Sequence, residues 1–384
     1  MKQEIITYLS TCREELIDTA KYLYLNPEES YKEHKSSKYI IDLLKSHGFC
    51  VEENFLDIDT AFKATLGEGH PKICYICEYD AIPGEGHITG HNLLTTMSLC
   101  GALGLSKVID KVQGTIVVLG CPGEYLGGAK ITMCKQGVFK DIDLVLMAHP
   151  DIKTNESGTS SAILPINVKY FKEEDGLSYL NPSAYTPLDA TLLTFNMLNA
   201  LEKGFHKDAT INGVLSNGGY TPLLIPNECE SRFYIRGKNM SIAEEINKKL
   251  KIIVESISSL MSMEYKTTFY ELPYDELITN STLSRIFSHN LKENGIINIG
   301  SPTNTNAGLS LGSVSHLIPC IHPYISIVED QSIKYATKEF TEATISPYAL
   351  DIAMRVGKTL ATTALDLIEK QDLINESKTE LMKK

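Results

Sequence analysis

Residues 73–92 read ICYICEYDAIPGEGHITGHN. The opening run, Ile73 to Cys77, is too short for a helix and gives way at once to charged and turn residues, the pattern of a buried strand. A helix is predicted from about Asn92 to Ile109. The unit then repeats: a strand over Thr115–Leu119, a helix after Gly128 and a strand over Leu144–Met147. Short apolar strands alternating with helices predict a mostly parallel sheet covered on both sides. In such sheets chemistry gathers at the carboxyl ends of the strands.

Upstream, the first fifty residues read as two helices. Leu16, Ile17, Ala20 and Leu23 share a face before Pro27, and Ile40, Ile41, Leu43 and Leu44 lead to Gly48 as a stop. A β-rich stretch follows over residues 51–66. Downstream, 160–271 changes to strand, helix, two strands, helix, strand. Its second helix is expected to open on Ser241 and Glu244 in capping-box spacing. Helices are expected again over 280–294 and 347–368, with strand material over 317–327. The expectation is therefore an α/β domain, 1–159 with 272–384, interrupted by an α+β insert at 160–271.

Composition narrows the function classes. The chain has 384 residues, of which 43% are hydrophobic and 22% charged, enough apolar surface for more than one core. Asp and Glu outnumber Lys and Arg by 48 to 36, and an acidic surface repels phosphate backbones, so nucleic acid is not an expected partner. No apolar stretch approaches membrane-spanning length, and the opening MKQEIITYLS lacks a signal-peptide core, so a cytoplasmic protein away from membranes is expected. Nine cysteines scattered through apolar segments fit reduced, buried thiols rather than a disulfide framework. Cys74 and Cys77 form a CxxC, but an odd spacing in a strand sends the two side chains to opposite faces.

Polar clusters close three of the predicted strands: Glu78, Asp80, His87 and His91 in the first, Glu124 in GCPGEYLGG, and His149 in MAHP. One such histidine is ordinarily structural. Clusters at three successive strand ends converge on one sheet edge, and imidazole with carboxylate is what zinc, manganese or nickel requires.

Further segments give the chain a specific resemblance: NPEESYKEHKSS (26–37), EYDAIPGEGHITGHNL (78–93), GTIVVLGCPGEYLGGAK (114–130), DLVLMAHP (143–150), NGGYTPLLIPNECESRFYIRG (217–237), GSVSHLIPCIHPYISI (312–327) and YATKEFTEA (335–343). Nearly end to end, it resembles the amidohydrolase branch of the aminoacylase and glutamate carboxypeptidase metallopeptidase family, in particular aminobenzoyl-glutamate hydrolase and dipeptidase-like members. The resemblance implies a zinc-peptidase-like sheet flanked by helices, with an inserted lid that also makes the dimer contact.

It also implies a ligand set. The family's HACGHN becomes HITGHN, so its metal-bridging cysteine is Thr89 while its histidine remains as His91. The paired glutamates become Glu124, the general-base position, and Tyr125, a ligand position. His149 keeps its ligand histidine, and the last ligand histidine is Ala336. Three of five ligand positions are thus replaced, and the losses complete one metal's shell. In the lid, the oxyanion histidine aligns with Gly176 in EEDGLSYLN, an asparagine position is Leu223, and Arg236 remains to receive a substrate carboxylate or to form a structural ion pair.

The expectation is a divergent family member that binds a small amide, N-acyl amino acid or dipeptide. It would lack two-metal hydrolysis and act as a pseudoenzyme or as partner subunit in a homodimer or heteromer with a homologue. It would carry no metal or one divalent ion, zinc or manganese. The alternative is an active amidohydrolase or dipeptidase with a single metal on His91 and His149, Glu124 serving as base or third ligand, or Glu78 as that ligand. Asp80 joins Glu124 as a candidate catalytic residue. A further alternative uses no metal and makes Cys121 a nucleophile beside Glu124, Tyr125 and His91, which requires a cationic neighbour to form the thiolate.

Overall fold

The computed structural model describes residues 1–173, 176–180 and 184–384. Its strands are β1 (Cys50–Glu53), β2 (Phe62–Glu68), β3 (Lys72–Cys77), β4 (Gly114–Gly120), β5 (Leu144–Leu146), β6 (His149–Asp151), β7 (Thr159–Phe171), β8 (Ala209–Asn217), β9 (Glu228–Gly237), β10 (Glu264–Phe269), β11 (Asn304–Gly308), β12 (Cys320–Ile321) and β13 (Tyr324–Ser326). The chain divides into two compact units, one of Met1–Thr159, Leu277–Thr305 and Ser313–Lys384, the other of Ser160–Glu276 and Asn306–Gly312.

The first unit is built on a six-stranded sheet in the order β1-β2-β4-β3-β5-β12. The β4-β3, β3-β5 and β5-β12 pairings are parallel, and β1-β2 and β2-β4 are antiparallel. The sheet is flanked by helices, as the alternating pattern requires. Helix His91–Ser106 is buried on every side except at Ser106, which explains its apolar run without a polar stripe. It crosses helix Pro347–Glu369 closely. A Cβ on Gly357 would lie 2.2 Å from Cys100 Sγ and one on Gly104 2.8 Å from Ala361 Cβ, so only glycine permits this approach. The close packing fixes the start of helix His91–Ser106, and hence His91, at the end of β3.

The amino-terminal segment holds three helices, Lys2–Thr11, Arg13–Leu25 and His34–Ser46, where two were expected. The first buries only Ile5 and Leu9, too few apolar residues for a clear period. Helix Ser281–Glu293 and helix Pro347–Glu369 form as expected, the latter with Pro347 at its first position. Helix Gln371–Met382, absent from the sequence reading, closes the chain.

In the second unit the strands run β10-β7-β9-β8, with β11 paired to β7. Helices Pro187–Leu201 and Met240–Met261 pack on this sheet through Leu164, Phe233, Ile246, Leu250, Ile253 and their neighbours. The cap of the second helix differs from expectation. Asn239 stands outside the helix with its side chain accepting from Ile242 N–H, so Ser241 falls inside the first turn and Glu244 just beyond it, rather than forming a capping box. Asparagine two residues earlier already satisfies the orphan amide. Among the described residues, no helix is long and apolar enough to cross a membrane.

Candidate functional site at the strand ends

Three loops leaving the carboxyl ends of β3, β4 and β5 bring most of the expected residues together. Glu78 and Asp80 follow β3, and His91 opens the next helix. Gly90 caps that helix at φ +85°, where a Cβ would also lie 3.0 Å from Pro150 Cβ. Glu124 and Tyr125 lie in a single 3-10 turn after β4. His149 begins β6 and stands opposite Tyr324 of β13.

Asp80 is the hub of the cluster. Its Oδ1 lies 2.9 Å from His91 Nδ1, and its Oδ2 accepts from Ser30 Oγ at 2.7 Å and from Tyr125 N–H at 3.0 Å. Burial pushes the Asp80 carboxyl up, but the His91 bond and charge, with these other donors, outweigh it and hold the carboxyl below its ordinary range. Burial draws the His91 imidazole down. Its bond to Asp80 and the charges of Asp80, Glu78 and Glu124 outweigh that and raise it to about 9. His91 Nε2 is 3.5 Å from Glu78 Oε2.

Thr89 and Tyr125 meet. Their hydroxyls are 2.5 Å apart, and the Tyr125 ring stacks on His91 with centroids 4.8 Å apart. Burial pushes the Tyr125 phenol far up, so it stays protonated at neutral pH. His149 has its Nδ1 2.8 Å from the Pro150 carbonyl, and burial followed by the charges of His322 and His91 keeps it neutral. Ala336 is exposed in a turn at φ +56°. It adjoins Tyr335, whose ring centre lies 6.4 Å from that of His149.

Sequence reasoning missed two members. Lys130, at the end of the GEYLGGAK run, is fully buried, and its Nζ donates to Glu78 Oε1 at 2.6 Å and Glu124 Oε2 at 2.7 Å. Burial pulls the ammonium down, but the Glu124 and Glu78 charges hold it well above its usual value. His322, in CIHPYISI, lies with its ring centre 5.1 Å from that of His149. Its Nδ1 is buried without a hydrogen-bond partner among the described residues. A histidine in an apolar run was the available signal for His322. The signal for Lys130 was a lysine two residues after the glycine pair that opens a helix.

Other expectations meet different surroundings. Cys121 is buried with Sγ 3.7 Å from the Leu119 carbonyl and 3.8 Å from Met133 Sδ, and burial pushes the thiol up to about 12. Desolvation outweighs the nearby Lys130 ammonium, so the nucleophile reading of Cys121 is corrected. Cys74 and Cys77 are buried free thiols. Arg236, in the second unit, donates to Asn212 Oδ1 at 2.6 Å and lies over the Tyr234 ring at 5.3 Å. Gly176 accepts from Ile225 N–H, and Leu223 is exposed, while Glu174, Asp175 and Asn181 of the EEDGLSYLN stretch lie outside the described residues.

Among the described residues, the group of three metal-type side chains close enough to share an ion is Cys12, Glu15 and His47, between the amino-terminal helices, and not the strand-end residues. At the strand ends Asp80 binds His91, Lys130 binds both Glu78 and Glu124, Thr89 binds Tyr125, and Ala336 has no donor.

The architecture on which these residues sit is an α/β one, a mixed sheet flanked by helices with an α+β unit inserted in the chain. No protein-family model matches the chain. It is 28% identical over 398 aligned residues to a mouse Xaa-Arg dipeptidase, covering 97% of this chain and 90% of that one. An aminobenzoyl-glutamate utilization protein from Klebsiella pneumoniae shares the fold with a TM-score of 0.73 at 12% identity, covering 94% of this chain and 98% of that one. So does a dinuclear metal-binding peptidase of the M20 family from Bacillus subtilis, with a TM-score of 0.66 at 16% identity, covering 93% and 99%. The proteins it is similar to are thus amidohydrolases and peptidases, with a member of the M20 family among those that share its fold.

Proposed function

We propose that this is a divergent M20-family protein that binds a small amide, N-acyl amino acid or dipeptide at the strand ends without two-metal hydrolysis. The observation that carries the reading is the Thr89–Tyr125 hydrogen bond. Two positions that the family resemblance assigns to metal ligands hold neutral hydroxyls that satisfy each other, and a third, Ala336, has no donor atom. A neutral hydroxyl is a poor substitute for the thiolate or carboxylate that holds a divalent ion.

A ligand site is supported by His322. Its Nδ1 is a buried polar atom that calls for a partner, and a ligand's amide or carboxylate beside His149 supplies one. The net charge of −12 favours a cationic ligand. With a relative named Xaa-Arg dipeptidase, dipeptides ending in arginine are therefore the first ligands to try.

The test combines metal analysis, thermal shift and product chromatography on the purified protein with a panel of N-acyl amino acids and dipeptides, including those ending in arginine. The expected result is a ligand-dependent rise in melting temperature without hydrolysis. Brisk hydrolysis abolished by chelator and by Glu124→Gln overturns the reading and favours a single-metal enzyme.

A further inference from the structure

Lys130 is wholly buried, and both hydrogen-bonded carboxylates beside it, Glu78 and Glu124, come from the loops that carry the candidate site. A buried cation is tolerated only when paired and hydrogen-bonded, and two buried carboxylates facing each other without a cation are equally unfavourable. The three elements therefore hold one another in place. Asp80 meanwhile has its own partner in His91, so each of the three strand-end carboxylates is matched to a cationic or cation-forming side chain of this chain.

We infer that Lys130 is the resident cation of the site, its ammonium joining Glu78 and Glu124 as a divalent ion joins the carboxylates of a metal centre. The M20 relative from Bacillus subtilis binds two metals, whereas the donors here do not gather around one. An added dication at Glu124 would meet the ammonium 2.7 Å from that carboxylate, in surroundings of low polarity where like charges repel strongly. Lys130 thus acts as a positioning residue. It fixes the Glu124 side chain at the general-base position and excludes a metal from it.

This inference rests on the reading above only in taking the strand ends as the functional site. Its test is thermal melting of the full-length wild type, Lys130→Met, and Lys130→Met with Glu78→Gln, each stripped with chelator and then titrated with manganese. Manganese is the probe because it prefers oxygen donors, which limits interference from the thiol of Cys12 beside Glu15 and His47. The wild type is expected to melt at one temperature with or without manganese. Lys130→Met is expected to melt several degrees lower and to recover part of the loss as manganese rises, because an ion that binds only the folded state stabilises it by mass action. The double variant is expected to melt above the single one, since it has one carboxylate fewer to neutralise.

An ordinary structural ion pair would give the first loss but no metal-dependent recovery. A folded Lys130→Met that ignores manganese overturns the inference, as does a wild type that gains as much from manganese as the variant. Should Lys130→Met fail to fold, a double variant that also fails overturns it. Inert wild type with an unresponsive Lys130→Met sinks this inference alone. Chelator-sensitive amide hydrolysis by the wild type sinks the functional reading instead.

Discussion

Glu33 gives a sharp prediction, because its carboxyl is fully buried against the turn that carries Glu124. Its Oε1 accepts from Tyr31 N–H and Gly123 N–H, each at 2.9 Å, and its Oε2 accepts from Thr60 Oγ at 2.8 Å. Burial is the largest influence and, with the Asp80 charge, outweighs these donors to raise the group from 4.5 to about 7. At about 1.4 kcal/mol per tenfold change in proton affinity, that rise corresponds to roughly 3 kcal/mol. The sign follows from linkage: a group that holds its proton more tightly when folded stabilises the fold fully below its unfolded value, and this contribution is lost as pH rises to about 7. Glu33→Gln keeps an oxygen for the two backbone amides and lets the amide nitrogen donate to a reoriented Thr60 hydroxyl, but it does not ionise. Chemical denaturation of both proteins from pH 4.5 to 8 isolates the effect, because Asp143 and Glu380, with depressed values, contribute the opposite slope equally to each. Glu33→Gln should gain about 3 kcal/mol relative to wild type across that window. A difference that stays flat with pH refutes the argument.

Three more outcomes are expected. Iodoacetamide on native protein should label exposed Cys50 and leave Cys121 unmodified in peptide mass analysis, since burial holds the Cys121 thiol near 12; rapid labelling at Cys121 contradicts this. Replacing Thr89→Cys, Tyr125→Glu and Ala336→His together should raise metal content above wild type by elemental analysis, and histidine suits the φ of +56° at position 336 better than most residues; unchanged content would mean that these positions do not limit metal binding. The self-pairing that the family resemblance implies for the second unit points to edge strand β8, where Val214 is 59% and Leu215 40% exposed. Light scattering should give a dimer for wild type and a monomer for Val214→Lys with Leu215→Lys, and a wild-type monomer at micromolar concentration would reject it.

The sheet was legible because its strands are local apolar runs: Ile73 to Cys77 and Thr115 to Leu119 announce burial without reference to the rest of the chain. The amino-terminal helix Lys2–Thr11 was not, since two buried residues make no period. The cap at Asn239 was missed because Ser241 and Glu244 offered the same local chemistry two residues later, and only the backbone decides between them. The same division runs through the site. Residue types at strand ends identified Glu78, Asp80, His91, Glu124 and His149, because each lies in a motif read in one glance along the chain. The electrostatic state of those residues depends on what comes to meet them. His322 arrives from a segment far along the chain, and Lys130 looks from sequence like any solvated lysine near a helix start. Its burial becomes intelligible only when two carboxylates from separate loops are seen around it. In this chain the proposed ammonium bridge between Glu78 and Glu124 therefore depends on a residue outside the ligand motif, and Lys130→Met is the substitution that tests it.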